Sequence, residues 1–180
     1  MDYGWPDGTF LQGRDADRRT PVAVVVGRAR VELATIGELA ALPGSGDIKV
    51  VPEPLFLALP TRIADGTLVQ GIVDPGGRVD LTRVALMAGG ARAEFHDRGE
   101  LVQCGYAGRP VWAIPSRVFR ALPVVPDDCV FLRNAENLAV YRIRHGRRQK
   151  VSESSIPGPA RVWSVPARVL ENLAARRPRG

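Results

Sequence analysis

The chain has 180 residues, of which 45% are hydrophobic and 24% are charged. These proportions are typical of a globular protein, and the length is sufficient to bury a core. The apolar runs are strand-sized, as in residues 21–27, and none approaches the roughly 18 residues of a membrane-spanning helix. The composition therefore argues against membrane insertion.

The formal net charge of +6 comes almost entirely from arginine, because lysine occurs only at Lys49 and Lys150. Arginine suits bidentate contacts with carboxylate and phosphate groups. It also accumulates in high-GC genomes, so the charge alone does not identify a ligand. The two cysteines, Cys104 and Cys129, are too few for a zinc site. They can form one disulfide or remain two buried thiols.

The first predicted element is a short strand that follows a tight turn. Asp-Gly is a turn signal, and the residues after it favour a β-strand. The third copy has Cys129 in place of the glycine, so we expect its turn to differ. The three copies of this opening are residues 7–12 (DGTFLQ), 65–70 (DGTLVQ) and 128–133 (DCVFLR).

A hairpin follows each opening. In residues 22–33, 84–95 and 140–151, β-favouring side chains run into a glycine-bearing turn and out again. The second copy follows the first 62 residues later. The same shift relates residues 37–39 to residues 99–101, where we expect a short helical turn.

Each copy closes with a short strand, a proline and a helix. The prolines are Pro52, Pro115 and Pro166, and proline is favourable in a first helical turn. The apolar residues after Pro115 lie at spacings i, i+1 and i+4, which form one face of a two-turn helix. The closing segments are residues 48–60, 111–123 and 162–173.

These motifs define a repeat with units at residues 7–64, 65–126 and 127–173, followed by a basic tail at 174–180. One unit is too small to bury both faces of its sheet, so the units must share cores, either around a pseudo-threefold axis or in a row. Closure would remove exposed sheet edges. The sequence therefore predicts a mostly β protein with short helices, in a closed, trefoil- or propeller-like array rather than an open stack.

The motif order resembles a repeat found in several copies in bacterial secreted and cell-wall-associated proteins. The resemblance is carried by Asp-Gly-Thr-Leu, by a hairpin with Gly-Arg-Arg, and by Val-Pro-x-x-Val-Phe-x-x-Leu, and it covers nearly the whole chain. Such repeats often accompany amidase, peptidase or glycoside hydrolase domains. The resemblance implies surface attachment or recognition and a secreted or cell-surface location. Residues 1–10 do not form a signal peptide, which leaves a cytoplasmic location open.

Comparing the copies singles out two tryptophans. Lys49, Trp112 and Trp163 occupy one position of the closing strand. Because lysine is rarely fully buried, this position faces solvent in the first copy. Trp112 and Trp163 are therefore candidates for stacking on sugar rings. The alternative is that both pack against the following helix or a neighbouring repeat.

Arginine also recurs, at Arg30, Arg92 and Arg148, just beyond each hairpin turn. One interpretation is an ion pair or hydrogen bond within each repeat, to the aspartate of the leading turn. Such surface pairs contribute little stability. The other interpretation is a set of three anion contacts, one per repeat.

The third hairpin concentrates positive charge. Strand alternation places Arg142 and Arg144 on the opposite face from Tyr141 and Ile143. Such a cluster can meet teichoic-acid phosphate, acidic glycan or nucleic acid, or it can simply be solvated. The remaining members of the cluster are His145, Arg147, Arg148 and Lys150, and the tail adds Arg176, Arg177 and Arg179.

Catalysis has little support in the sequence. His96 and His145 are the two histidines, and neither lies in a nucleophile, metal or phosphate-binding motif. Glu32 and Glu94 are repeat-equivalent, which points to a structural role. We expect no catalytic residues, metal or cofactor. The predicted function is a non-catalytic, lectin-like module for bacterial surface glycan or cell-wall polymer; the alternatives are a protein-interaction scaffold and nucleic-acid binding through the third hairpin.

Overall fold

The computed structural model describes residues 4–44, 46–73 and 81–175. Within these residues the chain forms three four-stranded sheets, one per repeat, and short helices. The strands are β1 (Phe10–Asp15), β2 (Arg18–Val26), β3 (Ala29–Glu32) and β4 (Ile48–Pro52); β5 (Leu68–Val73), β6 (Ala85–Ala88), β7 (Ala91–Glu94) and β8 (Val111–Pro115); and β9 (Phe131–Asn134), β10 (Val140–Arg144), β11 (Arg147–Val151) and β12 (Val162–Val165). The helices are α1 (Ile36–Ala41), α2 (Glu53–Leu57), α3 (Arg98–Gln103), α4 (Ser116–Ala121) and α5 (Ala167–Ala175), with a 3-10 turn at Glu153–Ser155.

All three sheets have the same strand order, β3-β2-β1-β4, β7-β6-β5-β8 and β11-β10-β9-β12. In each, the leading strand pairs antiparallel with the next strand and parallel with the closing strand. The threefold repeat and the β-rich class predicted from the sequence are thus confirmed.

The hairpins use two-residue loops in which both residues have positive φ, as in a type I′ turn. The loop residues are Gly27 (54°) and Arg28 (64°), Gly89 (59°) and Gly90 (70°), and His145 (50°) and Gly146 (68°). The aspartate of each leading turn fixes the tip of its own hairpin. The backbone amides of Arg28, Gly90 and His145 donate to Oδ1 of Asp7, Asp65 and Asp128, at 3.1, 2.9 and 2.6 Å.

The third leading turn keeps the conformation of the other two. Cys129 has φ 69°, beside 86° at Gly8 and 89° at Gly66. The prediction that this turn would differ was wrong, because the hydrogen bond from the hairpin tip to Asp128 is retained and fixes the same geometry. The cysteine adopts a left-handed conformation that costs an L-residue about 1–2 kcal/mol.

Successive residues of the first two leading strands point into different cores. Leu11 packs with Phe56 inside unit 1, whereas Phe10 faces unit 2. A second core joins units 1 and 2, and a third joins units 2 and 3. The second contains Phe10, Val24 and Val26 with Val69, Ile114 and Phe119; the third contains Leu68 and Leu86 with Leu132, Ile143 and Leu170. These cores join units that are neighbours along the chain, and closure of the array around an axis stays a prediction.

The outer face of unit 3 is polar where the matching faces of units 1 and 2 are buried. Arg142 lies opposite Phe131 and Tyr141 opposite Leu132, so Arg142 and Arg144 share the outer face as predicted. Ile143, in contrast, is buried against unit 2. A polar outer face is what a terminal repeat requires.

Cys104 and Cys129 are both free, the first buried and the second exposed, so the disulfide alternative is not adopted. None of the helices in the part of the chain that the structure describes has the length and apolar character needed to cross a membrane. The arginines of the basic tail, residues 176–180, lie outside the described residues.

Candidate functional site

Each of the two tryptophans lies over the leading turn of the preceding unit. A Cβ atom on Gly8 would lie 3.1 Å from Cζ3 of Trp112, and one on Gly66 would lie 2.7 Å from Cη2 of Trp163. Glycine is therefore required there by the ring above it as well as by positive φ. Both indoles are half-buried and pack against the inter-unit cores.

Lys49, the matching residue of unit 1, is exposed, as the comparison of copies predicted. Its ammonium lies 5.4 Å from the ring centroid of Trp5. The closing-strand position thus faces solvent in unit 1 and is partly covered in units 2 and 3, where it lies over a leading turn. Packing and partial exposure, which the sequence set as alternatives, occur together at Trp112 and Trp163.

The exposed parts of both tryptophans line one groove of about 630 Å³. All three units contribute to it, because Asp7 belongs to unit 1, Asp65 and Arg109 to unit 2, and Arg161 to unit 3. The remaining lining residues are Gly66, Thr67, Leu68, Pro110 and Val162.

The charged groups of the groove differ in how firmly they are held. Arg109 donates from Nη2 to the carbonyl oxygen of Gly66 at 2.8 Å and lies 5.4 Å from the ring centroid of Tyr106. Burial raises the pKa of Tyr106 to about 12, so this phenol beneath the guanidinium stays neutral. Arg161 is exposed, and its guanidinium lies 6.0 Å from the ring centroid of Trp163.

Each of the two carboxylates of the groove uses one of its two oxygens in a hydrogen bond within the protein. Oδ1 of Asp7 and of Asp65 accepts a hairpin amide, while Oδ2 of each has no partner among the described residues. The groove therefore offers carboxylate acceptors and guanidinium donors between two indole surfaces. This lining can hydrogen-bond hydroxyl and amide groups and cover an apolar ring face.

The recurring arginines lie outside this groove and act within their own units. Arg92 donates from Nη1 to the carbonyl oxygens of Phe119 and Leu122, at 2.6 and 2.9 Å, at the end of α4. Arg30 donates to the carbonyl oxygen of Phe56 at 3.0 Å in the same way. Both lie 5.1 Å from the ring centroid of the phenylalanine concerned.

These contacts support the interpretation that the recurring arginines bond within their own repeat, but the partners differ from the predicted ones. The predicted bond to the leading aspartates was wrong, because those aspartates accept the hairpin amides. Arg30 and Arg92 instead pair with Glu32 and Glu94, at 3.5 and 2.8 Å. Arg148 lies 5.3 Å from the ring centroid of Tyr141.

The outer-face arginines are also separate from the groove. Arg142 donates from Nη2 to Sγ of Cys129 at 3.1 Å, and this hydrogen bond raises the pKa of Arg142. Arg144 is exposed and has no charged partner among the described residues. The structure thus brings together Trp112 and Trp163 but not the five predicted arginines.

The sequence interpretation missed two ion pairs that link neighbouring units. Arg117 contacts Glu38 through Nε–Oε1 at 2.8 Å and Nη2–Oε2 at 3.0 Å, and Arg168 contacts Glu100 at 3.1 and 2.7 Å. The hydrogen bond from Arg168 is the main reason that the pKa of Glu100 is lowered. Glu38 is fully buried.

A signal for these pairs was present in the sequence. Each glutamate stands three residues after a helix N-cap, Thr35 or Asp97, whose side chain accepts its backbone amide. Each glutamate also accepts the amide just before that cap, at 2.6 Å, in a variant of the capping box. The partner arginine follows the closing proline of the next unit by two residues.

No protein-family model, curated protein or solved structure matches this chain. The resemblance to cell-wall repeats therefore stays a prediction. A functional argument has to start from the groove and its chemistry.

Proposed function

We propose that the protein is a non-catalytic module that binds bacterial surface glycan or cell-wall polymer in the groove between Trp112 and Trp163. The observation that carries this proposal is that both indoles line one groove with Asp65, Arg109 and Arg161. A flat indole covers the C–H side of a pyranose, and carboxylate and guanidinium groups bind its hydroxyls. A secreted or cell-surface location follows from this proposal.

The test must separate binding from stability, because both tryptophans also pack against cores. Replacement by phenylalanine keeps an aromatic ring against the core and reduces the flat aromatic surface that is exposed in the groove. We expect Trp112→Phe and Trp163→Phe to weaken retention on purified bacterial cell walls. The matched control is Trp5→Phe, since Trp5 is half-buried but lies outside the groove. Equal retention of all three variants would exclude the groove as the site.

The salt dependence of binding, measured on cell walls and on DNA-cellulose, distinguishes anion binding by arginine from glycan binding in the groove. Contacts between arginine and phosphate weaken steeply as ionic strength rises, whereas stacking on a sugar responds much less. Binding that disappears in moderate salt and is lost in Arg142→Ala and Arg144→Ala variants would place the function on the outer face of unit 3, including nucleic-acid binding there.

A protein-interaction scaffold is the second candidate. It is favoured by exposed apolar side chains on the consecutive elements β4 and α2, where Val50 is 54% and Leu57 is 53% exposed. Exposed apolar surface, where it is contiguous, is a common feature of protein-binding sites. Loss of partner capture in Leu57→Glu, with cell-wall retention unchanged, would support the scaffold role.

A further inference from the structure

The groove contains the same pair of groups twice. In each copy an indole lies over a leading turn, and the aspartate of that turn lines the same groove. Trp112 lies over the turn of Asp7, and Trp163 lies over the turn of Asp65. In both copies Oδ1 accepts a hairpin amide. Oδ2 of both aspartates is left as an acceptor.

The separation of the two copies follows from the packing of the units. The shared cores place a face of each sheet against a face of the next, and for sheets packed in this way we expect a separation of about 10 Å. Two linked pyranose rings span a comparable length. Because the copies share one groove, a single extended chain can reach both.

Resting on the glycan-binding function proposed above, we infer that the groove holds the interior of a linear glycan across two subsites, Asp7–Trp112 and Asp65–Trp163. In each subsite the indole covers a ring and the aspartate accepts a hydroxyl. The ligand class is thus a polymer with a short repeat, rather than a single terminal sugar. Exposed Arg161 and the anchored Arg109 add donors for hydroxyl, amide or carboxylate substituents.

Two linked subsites make affinity depend on chain length. When one ring is bound, its neighbour is held near the second subsite at a high effective concentration, which raises affinity by about 10²–10⁴-fold without a new kind of contact. Affinity is therefore expected to rise steeply once the glycan reaches both subsites and then to level off.

The experiment uses peptide-free glycan strands released from purified cell walls and fractionated by ring number, with N-acetylglucosamine as the single ring. Calorimetry on the full chain gives a dissociation constant for each length. We expect at least about 100-fold tighter binding of strands that span both subsites than of the single ring.

Aspartate variants assign the subsites. Asp7→Asn and Asp65→Asn keep a side-chain oxygen for the hairpin amide but remove the carboxylate from the groove. Each is expected to weaken strand binding by about tenfold, the loss of one charge-assisted hydrogen bond. Asp128→Asn is the matched control, because it has the same hydrogen bond in unit 3 and does not line this groove.

The outcomes separate the inference from the function on which it rests. Equal affinity for one ring and for long strands overturns the polymer inference and leaves glycan binding intact. An effect of only one of the two groove aspartates reduces the site to a single subsite and also overturns it. A folded protein that binds neither strands nor intact cell walls overturns the proposed function together with this inference.

Discussion

Gly66 makes a close contact between the second and third units. Its φ is +89°, and a Cβ atom there would lie 2.7 Å from Cη2 and 2.8 Å from Cζ3 of Trp163. These atoms belong to a rigid ring that packs on a core, so the ring or the turn must move to accept a methyl group. We therefore expect Gly66→Ala to destabilise the protein through two separable costs.

The first cost is the left-handed backbone, about 1–2 kcal/mol for an L-residue. Gly105 isolates it, because its φ is +82° and a Cβ atom there would meet nothing within 4 Å. The second cost is overpacking against Trp163, about 1–3 kcal/mol. Gly66→Ala should thus cost about 2–5 kcal/mol. Gly8→Ala should be milder, since its Cβ would lie 3.1 Å from Trp112.

Urea unfolding of the variants measures these differences, and the thermal midpoint should fall by about 2–4 °C per kcal/mol for a chain of this size. A double-mutant cycle with Trp163→Phe isolates the overpacking cost, because the smaller ring lacks the indole atoms that would lie closest to the new methyl group. Equal destabilisation by Gly66→Ala and Gly105→Ala, or strict additivity in the cycle, would refute the steric reasoning.

Three further predictions follow. Arg168→Ala should lower the free energy of unfolding at pH 7 by about 1–3 kcal/mol and reduce its decline below pH 4.5. The reason is that the hydrogen bond from Arg168 lowers the pKa of Glu100 below 4.5. The stabilisation that this shift provides is complete above the unfolded-state pKa and is lost as the pH falls through the folded-state pKa. Urea unfolding across this pH range measures the difference. Arg92→Lys should cost about 1–2 kcal/mol in the same assay, because one ammonium cannot replace two separate donors, Nη1 to the carbonyls that end α4 and Nε to Glu94. A thiol reagent should modify exposed Cys129 in the folded protein and Cys104 only after unfolding, because burial raises the pKa of Cys104 to about 11; rapid reaction of both would contradict this.

The sheets were predictable because their signals are local. The alternation of Tyr141 and Ile143 with Arg142 and Arg144 assigns the faces of β10, and the turn glycines mark the hairpins. The repeat then transfers each assignment to the other copies. The ion pairs between units were not predicted, since Arg117 and Glu38 are 79 residues apart and meet only through the stacking of units.

The comparison of copies failed where it assumed equal surroundings. Stacking gives equivalent positions unequal neighbours, so Lys49 is exposed while Trp112 and Trp163 are half covered. The same inequality applies at the leading turns. Gly66 lies beneath an indole, whereas Cys129 carries an exposed side chain at a similarly positive φ.

Unit 2 contributes both partner types of the Trp–Gly and Arg–Glu contacts that join consecutive units. It presents Trp112 and Arg117 to the unit before it, and Gly66 and Glu100 to the unit after it. A tandem copy of residues 65–126, inserted after the original, would find its own complement at the new junction. In a row, such insertions lengthen the array one step at a time, whereas a closed ring would fix the number at three. Copy number then becomes a quantity that duplication can change without redesign of these Trp–Gly and Arg–Glu contacts.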